Sequence, residues 1–336
     1  MESLFLRYGR YLRDTYGETA YRVAVDAGFS CPNRGPDRSR RGCTYCDEYG
    51  SRAPYQERAW RGADGAGDPD ARRRESIRLQ VEGGLAFLRS RYGARIFLLY
   101  FQAFSGTYAP VETLRRTYDF ALDLPPSLGL PPFRELIVST RPDCIDREKA
   151  DLLAAYRSDT REVWVELGLQ SAFDETLERI NRGHTFGYFT AAFGLLRDRN
   201  VKLAVHLIFG LPGEGLEAVL ETTRRVAALR PEGIKIHNLH IPRGTAMLEE
   251  YGLGEITVPS SRRHLEYVIR ALELLPPDTV IMRVTCDTPK ERLILPRRFW
   301  DKGRFYSELR GEMRRRGTYQ GRLWAARSEV LPRNGR

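Results

Sequence analysis

The chain has 336 residues, a net charge of +10 and a sequence pI near 9.5. This length suits one large domain with an appendage, and the basic excess favours an acidic partner such as nucleic acid, although Arg-rich proteins are also basic without recognising a polyanion. Five cysteines, an odd number, do not indicate a disulfide framework, and no apolar run approaches the roughly 18 residues of a membrane span. We therefore expect a soluble cytoplasmic protein with no membrane partner.

Short apolar runs, typical of buried strands, alternate along the chain with amphipathic helical stretches. The predicted strands are Tyr21–Val25, Ile96–Phe101, Glu135–Ser139, Val163–Leu167, Leu203–Phe209, Ile234–Leu239 and Val280–Val284. Such alternation predicts right-handed βαβ units and a parallel sheet that curves toward a barrel. We predict an α/β fold, a partial (β/α)6 barrel over residues 1–285. Residues 286–336 form a basic, aromatic C-terminal extension that packs on or beside it.

A cysteine-rich loop follows the first predicted strand. Cys31, Cys43 and Cys46 fall within sixteen residues, with eleven residues between the first two and two between the last two. Structural zinc prefers four protein ligands, whereas three thiolates leave one coordination position open. An iron–sulfur cluster held by three cysteines would expose one iron, which can chelate the amino and carboxylate groups of S-adenosylmethionine. A zinc knuckle, or loop thiols with no shared role, is the alternative.

The next three strand ends carry unusual polar residues, and strand ends are where α/β barrels hold their chemistry. Ser105, Gly106 and Thr107 follow the second strand, and Thr140 ends the third. Glu166 lies inside the otherwise apolar fourth strand. A carboxylate buried in this way needs a partner or a ligand. It either faces a ligand or pairs with Arg141 to brace the barrel.

The remaining strand ends add cations, imidazoles and a thiol. In chain order these residues are Gln170, Arg182, His206, Lys235, His237, His240 and Cys286. Lys235, His237 and Leu239 alternate, so we expect them to face the barrel interior. Each histidine taken alone is more often a satisfied core residue than a catalyst, and a lone cysteine is commonly a small core residue.

Seven motifs in order resemble those of the YhcC/YtqA-like family of radical SAM proteins, which is related to the radical SAM domain of the elongator catalytic subunit. They are CPNRGPDRSRRGCTYC, FQAF, STRPDC, VELGLQS, INRGHT, HLIFGLPGE and KIHNLHIPRGT, spread over roughly residues 1 to 300. The resemblance implies that Cys31, Cys43 and Cys46 bind a [4Fe–4S] cluster whose fourth iron takes S-adenosylmethionine.

The resemblance also implies contacts with S-adenosylmethionine. Tyr45 matches the aromatic position near the adenine, and the loop of Ser105, Gly106 and Thr107 matches the one that receives the methionine amino group. The other residues expected to contact this cofactor are Thr140, Glu166, Gln170, Arg182 and His206. Gln170 matches a position that contacts the ribose, and Arg182 one that contacts the methionine carboxylate. At the position of His206, relatives often carry an acidic residue for the ribose. Lys235, His237, His240 and Cys286 are candidates for substrate contacts or for late proton and hydrogen transfer.

The function that the resemblance implies is modification of the carbon-5 side chain of the tRNA wobble uridine. We favour conversion of a carboxymethylaminomethyl group to an aminomethyl group, with tRNA as the substrate and a reductant such as flavodoxin or ferredoxin. Basic and aromatic residues mixed over Arg297–Arg336 suit RNA, and an amphipathic helix that closes the barrel explains them equally well. A radical SAM enzyme acting on a small metabolite, and a zinc-containing RNA-binding protein without redox chemistry, are the alternatives.

Overall fold

The computed structural model describes residues 4–47, 56, 59, 68–286 and 288–324. Its main sheet has seven strands, all parallel, in the order β1-β2-β3-β4-β5-β6-β8. The strands are β1 (Ala20–Val25), β2 (Ile96–Phe101), β3 (Glu135–Thr140), β4 (Glu162–Gln170), β5 (Lys202–Phe209), β6 (Gly233–Asn238), β7 (Ile241–Pro242), β8 (Val280–Arg283) and β9 (Leu293–Leu295). Strands β7 and β9 form a small antiparallel pair apart from the main sheet. The seven predicted strands are all confirmed.

Helices alternate with the strands of the sheet. They are α1 (Tyr8–Tyr16), α2 (Pro69–Tyr92), α3 (Val111–Ser127), α4 (Arg147–Ala155), α5 (Asp174–Arg179), α6 (Phe186–Arg197), α7 (Leu216–Ala228), α8 (Ala246–Gly252), α9 (Ser261–Leu274) and α10 (Lys302–Arg315), with a short 3-10 helix at Pro142–Cys144. Local sequence sets several of their ends. Helix α2 begins after Asp68, whose carboxylate accepts from the amides of Asp70 and Ala71, and it ends at Gly93 in a left-handed conformation.

Both faces of the strands are buried, as expected for a parallel sheet covered by helices. Leu99, Val138, Val165, Val205 and Ile234 belong to one large apolar core that also includes residues from most of the helices. A second, smaller core joins Leu98, Ile137, Trp164 and Ala204 to Leu12 of α1. The sheet is an open half-barrel in which β1 and β8 are the edge strands, so the predicted α/β partial barrel is confirmed.

Residues near the two ends of the described chain cover the edge of β8. The amide of Ile281 donates to the carbonyl of Leu6 at 2.7 Å, and the Gln320 amide donates to Leu4 at 2.9 Å. The Gln320 side chain in turn accepts from the Leu6 amide at 2.9 Å. Backbone groups that an edge strand would otherwise expose are paired here by the chain itself.

The C-terminal extension packs on the barrel through helix α10. Phe305, Leu309 and Met313 recur along one face of this helix, are fully buried and belong to the main core, whereas Tyr319 is 55% exposed. The amphipathic-helix interpretation therefore accounts for much of the basic and aromatic pattern. Residues 325–336 of the tail, and Asp287, lie outside the described residues, and the domain boundary after residue 285 stays a prediction.

Within the described part of the chain, no helix combines the length and apolar character needed to cross a membrane.

Candidate active site

A cavity of about 900 Å³ opens at the carboxyl ends of the strands. It brings together most of the residues that the sequence predicts as functional. These are Cys31, Cys43, Tyr45, Cys46, Thr140, Gln170, Arg182, His206, Lys235, His237, His240 and Cys286. Leu239 lines it too, as its alternation with Lys235 and His237 predicts. The sequence motifs therefore meet at one site.

The cysteine loop is fixed in place by hydrogen bonds to neighbouring segments and within the loop itself. The Thr44 amide donates to Ile180 at 3.1 Å, and the Asn181 side chain donates to the carbonyl of Gly42 at 2.8 Å. From inside the loop, the buried Arg34 guanidinium donates to the carbonyl of Cys46 at 2.9 Å. These bonds satisfy polar groups that would otherwise be buried alone, and they hold the thiols at the cavity wall.

Cys43 lies in a strongly electropositive environment. Its sulfur is 3.4 Å from Asn33 Nδ2, 3.6 Å from an Arg182 guanidinium nitrogen and 3.8 Å from one of Arg141. Burial alone would raise the pKa of the Cys43 thiol, but Arg182 and Arg141 outweigh it and hold that pKa below its ordinary value. Burial and the neighbouring Cys43 instead raise the pKa of Cys46 to about 11. The surroundings of Cys43 therefore favour a thiolate.

Arg182 reaches the cavity because the fourth strand carries a glycine there. A guanidinium nitrogen of Arg182 donates to the Gly168 carbonyl at 2.6 Å, and a Cβ at Gly168 would lie only 2.7 Å from that nitrogen. Two residues further along, at an irregularity in the β4 to β5 register, Gln170 has φ of 77°. A left-handed conformation is costly for glutamine, and such conformations cluster at functional sites. The strand is therefore shaped to present both side chains to the cavity.

The loop of Ser105, Gly106 and Thr107 lies behind Thr140 and does not line the cavity. Ser105 and Thr107 are fully buried, and their hydroxyls lie 2.8 Å and 2.6 Å from the Thr140 hydroxyl. A Cβ on Gly106 would be 2.7 Å from a methyl of Val138, so close packing explains this glycine. The loop therefore positions Thr140 through these hydroxyls, and its contact with the methionine amino group stays a prediction.

Glu166 is fully buried and pairs with four groups of the barrel interior. Its carboxylate accepts from the Tyr100 hydroxyl at 2.7 Å, lies 2.9 Å from His206 Nε2 and 2.9 Å from an Arg22 nitrogen, and forms an ion pair with Lys235. Burial opposes ionisation, but Lys235 and Arg22 outweigh it and hold the pKa of Glu166 well below its ordinary value. Glu166 therefore positions residues that line the cavity.

One sequence interpretation of Glu166 needs correction as a result. The alternative pairing with Arg141 is wrong, because Arg141 pairs with Asp143 at 2.7 Å and donates to the carbonyl of Arg182 at the cysteine end of the site. The Glu166 side chain has no exposed surface and lies behind the cavity wall, and its contact with the cofactor stays a prediction.

The surroundings of the histidines on β5 and β6 favour the neutral imidazole. Burial and the nearby Lys235 lower the pKa of His206 to about 4, and burial with Arg283 lowers that of His237 well below its ordinary value. Their rings lie 5.6 Å apart. Further out, His240 Nδ1 is 2.8 Å from the Thr288 hydroxyl.

Cys286 lies beside the end of β6. Its sulfur is 3.3 Å from the carbonyl of Asn238, and its amide donates to the Asn238 side chain at 3.1 Å. The thiol is half-buried and lines the same cavity as the three loop cysteines. The structure therefore brings it to the site, and a role in hydrogen transfer stays a prediction.

Several site residues carry no sequence signal of their own. Arg34 belongs to a basic loop whose sequence predicts exposure to solvent, but in the structure Arg34 is buried, with 5% of its surface exposed. Asn33 and Gly168 contact the site through geometry that spacing does not encode. Arg283 ends a short strand, where an arginine is ordinarily a surface residue. Its inward orientation follows from the register that places it opposite Lys235 of β6.

Comparison with known proteins identifies the family. Residues 36–226 match the model of the radical SAM superfamily, and residues 231–315 match the Radical_SAM C-terminal domain. The chain is 33% identical over 314 residues to the uncharacterised protein YtqA of Bacillus subtilis, covering 94% of this chain and 91% of YtqA. The chain belongs to the radical SAM superfamily. Cys43 and Cys46 fall inside the matched range, and Cys31 lies just ahead of it.

Two further comparisons confirm the predicted relationship to the elongator subunit. Human Elongator complex protein 3 is 34% identical over 158 residues, which are 46% of this chain and 28% of that protein. The structure of Elp3 from the archaeon Methanocaldococcus infernus superposes with a TM-score of 0.65 at 18% identity, covering 90% of this chain and 64% of that one. The radical SAM protein therefore shares its fold with Elp3.

Radical SAM enzymes use a [4Fe–4S] cluster and S-adenosylmethionine and need a reductant, and these are the cofactors of this protein. The residues at the cavity fit them. Three soft sulfur donors line one wall, and the positive groups around Cys43 suit an anionic cluster. Among the described residues, no three His, Cys, Asp or Glu side chains are arranged as ligands of one metal ion. The thiols share a cavity wall instead.

Proposed function

We propose that this radical SAM enzyme modifies the carbon-5 side chain of the tRNA wobble uridine, converting a carboxymethylaminomethyl group to an aminomethyl group. The observation that carries the tRNA assignment is the charge of the cavity. Its described lining includes nine arginine and lysine residues and a single carboxylate, that of Asp47. Such a wall suits a polyanionic substrate such as RNA, because its basic residues attract the phosphates and an acidic side chain of the nucleoside.

Basic residues of the C-terminal segment extend this wall outward. Lys290, Arg292 and Lys302 line the cavity from beyond β8, and Arg292 lies 3.3 Å from the carboxylate of Asp47 in the cysteine loop. The segment therefore joins the cofactor side of the cavity to its mouth. In the proposed complex it contacts the RNA backbone while the wobble base enters the barrel. The kinship with Elp3, and the family resemblance of the motifs, support the same substrate.

When bound, the cluster and S-adenosylmethionine supply a reducing electron and a carbon radical that abstracts a hydrogen atom from the substrate. The protein's own residues position the partners. Asn33, Arg141 and Arg182 stabilise the Cys43 thiolate by donating to its sulfur. Tyr45 and Gln170 lie on the same wall and orient the nucleoside part of the cofactor. We propose flavodoxin or ferredoxin as the reductant.

The side of the cavity on β6 faces the substrate. Lys235 Nζ is 3.0 Å from the Tyr100 hydroxyl, and both contact Glu166, so the ammonium is held in one position. His237 and Cys286 lie on the same side and are placed to move a proton or a hydrogen atom at the end of the reaction. Lys235 and Tyr100 are buried, so bulk water has little access to this part of the cavity.

An anaerobic assay with bulk tRNA tests the proposal. The reconstituted protein is mixed with dithionite, S-adenosylmethionine and tRNA that carries carboxymethylaminomethyluridine. We expect 5′-deoxyadenosine and aminomethyluridine to form together. Cys43→Ser should abolish both products, and Cys144→Ser, which removes a buried thiol outside the cavity wall, should retain both. Affinity for tRNA should fall steeply with salt.

The outcomes separate the alternatives. Cofactor cleavage without any change in the nucleosides, with weak and salt-insensitive tRNA binding, would refute the tRNA proposal and favour a small metabolite. Zinc in place of iron and sulfide, with no cleavage by the wild type, would overturn the enzymatic proposal as well.

A further inference from the structure

Three adjacent strands, β5, β6 and β8, place an unusual set of side chains in the cavity. His206 of β5 lies opposite Lys235 of β6, and Lys235 lies opposite Arg283 of β8. His237 follows two positions after Lys235, and all four side chains line the cavity.

The positive charge of this group is only partly balanced. Glu166 is the carboxylate that contacts the group, and it already pairs with both Arg22 and Lys235. In the described part of the chain, Arg283 has neither an ion-pair partner nor a side-chain hydrogen bond. An arginine keeps its charge at all physiological pH values, so this charge is present in the half-buried position without a counter-ion.

A second observation points in the same direction. The Nε2 atom of His237 is buried and has no hydrogen-bond partner among the described residues. A buried polar atom without a partner is unfavourable, and a bound ligand that pairs with it recovers this cost. The unpaired guanidinium and the unpaired imidazole lie on neighbouring strands of one cavity wall.

We propose that Arg283, Lys235 and His237 form a carboxylate-binding subsite that holds the acidic end of the substrate. A carboxylate suits all three groups, because it accepts two parallel hydrogen bonds from a guanidinium and has lone pairs left for an ammonium and an imidazole N–H. The subsite rests on the proposed function, in which the carboxymethylaminomethyl group carries such a carboxylate.

Different arginines would hold this carboxylate and that of the cofactor. Arg182 and Arg141 contact Cys43, where the methionine carboxylate of S-adenosylmethionine is expected. Arg283 instead lies in register with Lys235 of β6. A substrate anchored there would present the methylene next to its carboxylate toward the centre of the cavity. The subsite thereby explains how the enzyme selects the longer, acidic side chain. That methylene would lose one hydrogen atom to the cofactor-derived radical and one electron to the cluster, and water would then cleave its carbon–nitrogen bond to give the aminomethyl group and glyoxylate. The aminomethyl product lacks the anchoring group.

Binding discrimination gives a direct test. The dissociation constants of the reconstituted protein are measured for two tRNAs that differ only at the wobble base, one with carboxymethylaminomethyluridine and one with aminomethyluridine. We expect the wild type to prefer the acidic form by about 10-fold to 100-fold, the range of a hydrogen-bonded charge pair. Arg283→Gln should abolish the preference, and Arg283→Lys should retain part of it. Arg262→Gln, which removes an exposed charge from α9, should leave it unchanged.

A small probe makes the test independent of tRNA. N-Methylglycine reproduces the secondary amine and carboxylate of the side chain, and we expect it at millimolar concentration to raise the Tm of the wild type but not that of Arg283→Gln. Equal discrimination between the tRNAs, or equal stabilisation by N-methylglycine, in wild type and Arg283→Gln would overturn the subsite. If the wild type converts no tRNA, the proposed function fails, and loss of N-methylglycine stabilisation in Arg283→Gln still supports the subsite. Iron content and the far-UV circular dichroism spectrum, both expected to match those of the wild type, show that Arg283→Gln is folded.

Discussion

Glu166→Gln gives the most sensitive test of the barrel interior. The substitution keeps the shape of the side chain and removes the charge that compensates Lys235 and Arg22. Removal of one partner from a buried ion pair costs about 3–5 kcal/mol, because the remaining charge stays buried without compensation. Glu166 has no exposed surface and Lys235 is 5% exposed, so solvent cannot replace the lost partner. We expect the free energy of unfolding to fall by that amount.

Urea denaturation at 25 °C, followed by circular dichroism, measures the loss as a lower midpoint at an unchanged m value. The double variant Glu166→Gln with Lys235→Met removes both charges and should regain at least half of the loss.

The pKa of Glu166 is held below its ordinary value of 4.5. Its contribution to stability is therefore complete above that pH and is lost only as the pH falls through the lower, folded-state pKa. The difference between wild type and Glu166→Gln should therefore be constant near neutrality and shrink in strong acid. A loss below about 1 kcal/mol, or a double variant as unstable as the sum of the single changes, would refute the reasoning.

Two further substitutions test the cofactor side and the substrate side of the cavity. Gly168→Ala places a methyl group where the Arg182 guanidinium lies. Because that guanidinium is the flexible end of a side chain, it can move aside, and we expect little loss of stability. We expect S-adenosylmethionine to bind about 10-fold more weakly, as measured by titration calorimetry. Gly194→Ala, in an open position on α6, is the control and should bind the cofactor normally while gaining up to about 1 kcal/mol of stability. Equal affinities of the two variants for S-adenosylmethionine would contradict the proposed role of Arg182. Cys286→Ala should cleave S-adenosylmethionine as the wild type does yet form less modified nucleoside, and unchanged turnover would remove Cys286 from the mechanism.

The sheet could be predicted from the sequence because its inner strands are buried on both faces. A run such as Ile96–Phe101 is apolar throughout and bounded by loop residues, so its existence and type follow from composition alone. The short pair of β7 and β9 has no such signal, since each strand has only two or three residues. Helix α1 was not predicted either, because Leu12 is its only fully buried residue.

Site residues could be predicted from the sequence where a motif identifies their chemistry. They could not be predicted where their role depends on which side chains meet in the folded structure. The spacing of the cysteines identifies ligands whatever their surroundings. In contrast, Glu166 has several basic residues within reach of its strand, and only the register shows that Lys235 and Arg22 face it while Arg141 turns toward the cysteines. For the same reason Arg283 could not be distinguished from a surface arginine.

The cover over the β8 edge limits how the protein can be shortened or extended. Leu4, Leu6 and Arg7 act as a partial eighth strand, and Gln320 fastens them from the other end of the described chain. A fragment that starts after Arg7, or stops before Gln320, would leave the backbone of β8 open to pairing with another molecule, and we expect it to aggregate. Fusion partners are therefore best attached through a flexible linker outside Leu4, so that Leu4, Leu6 and Gln320 keep their hydrogen bonds.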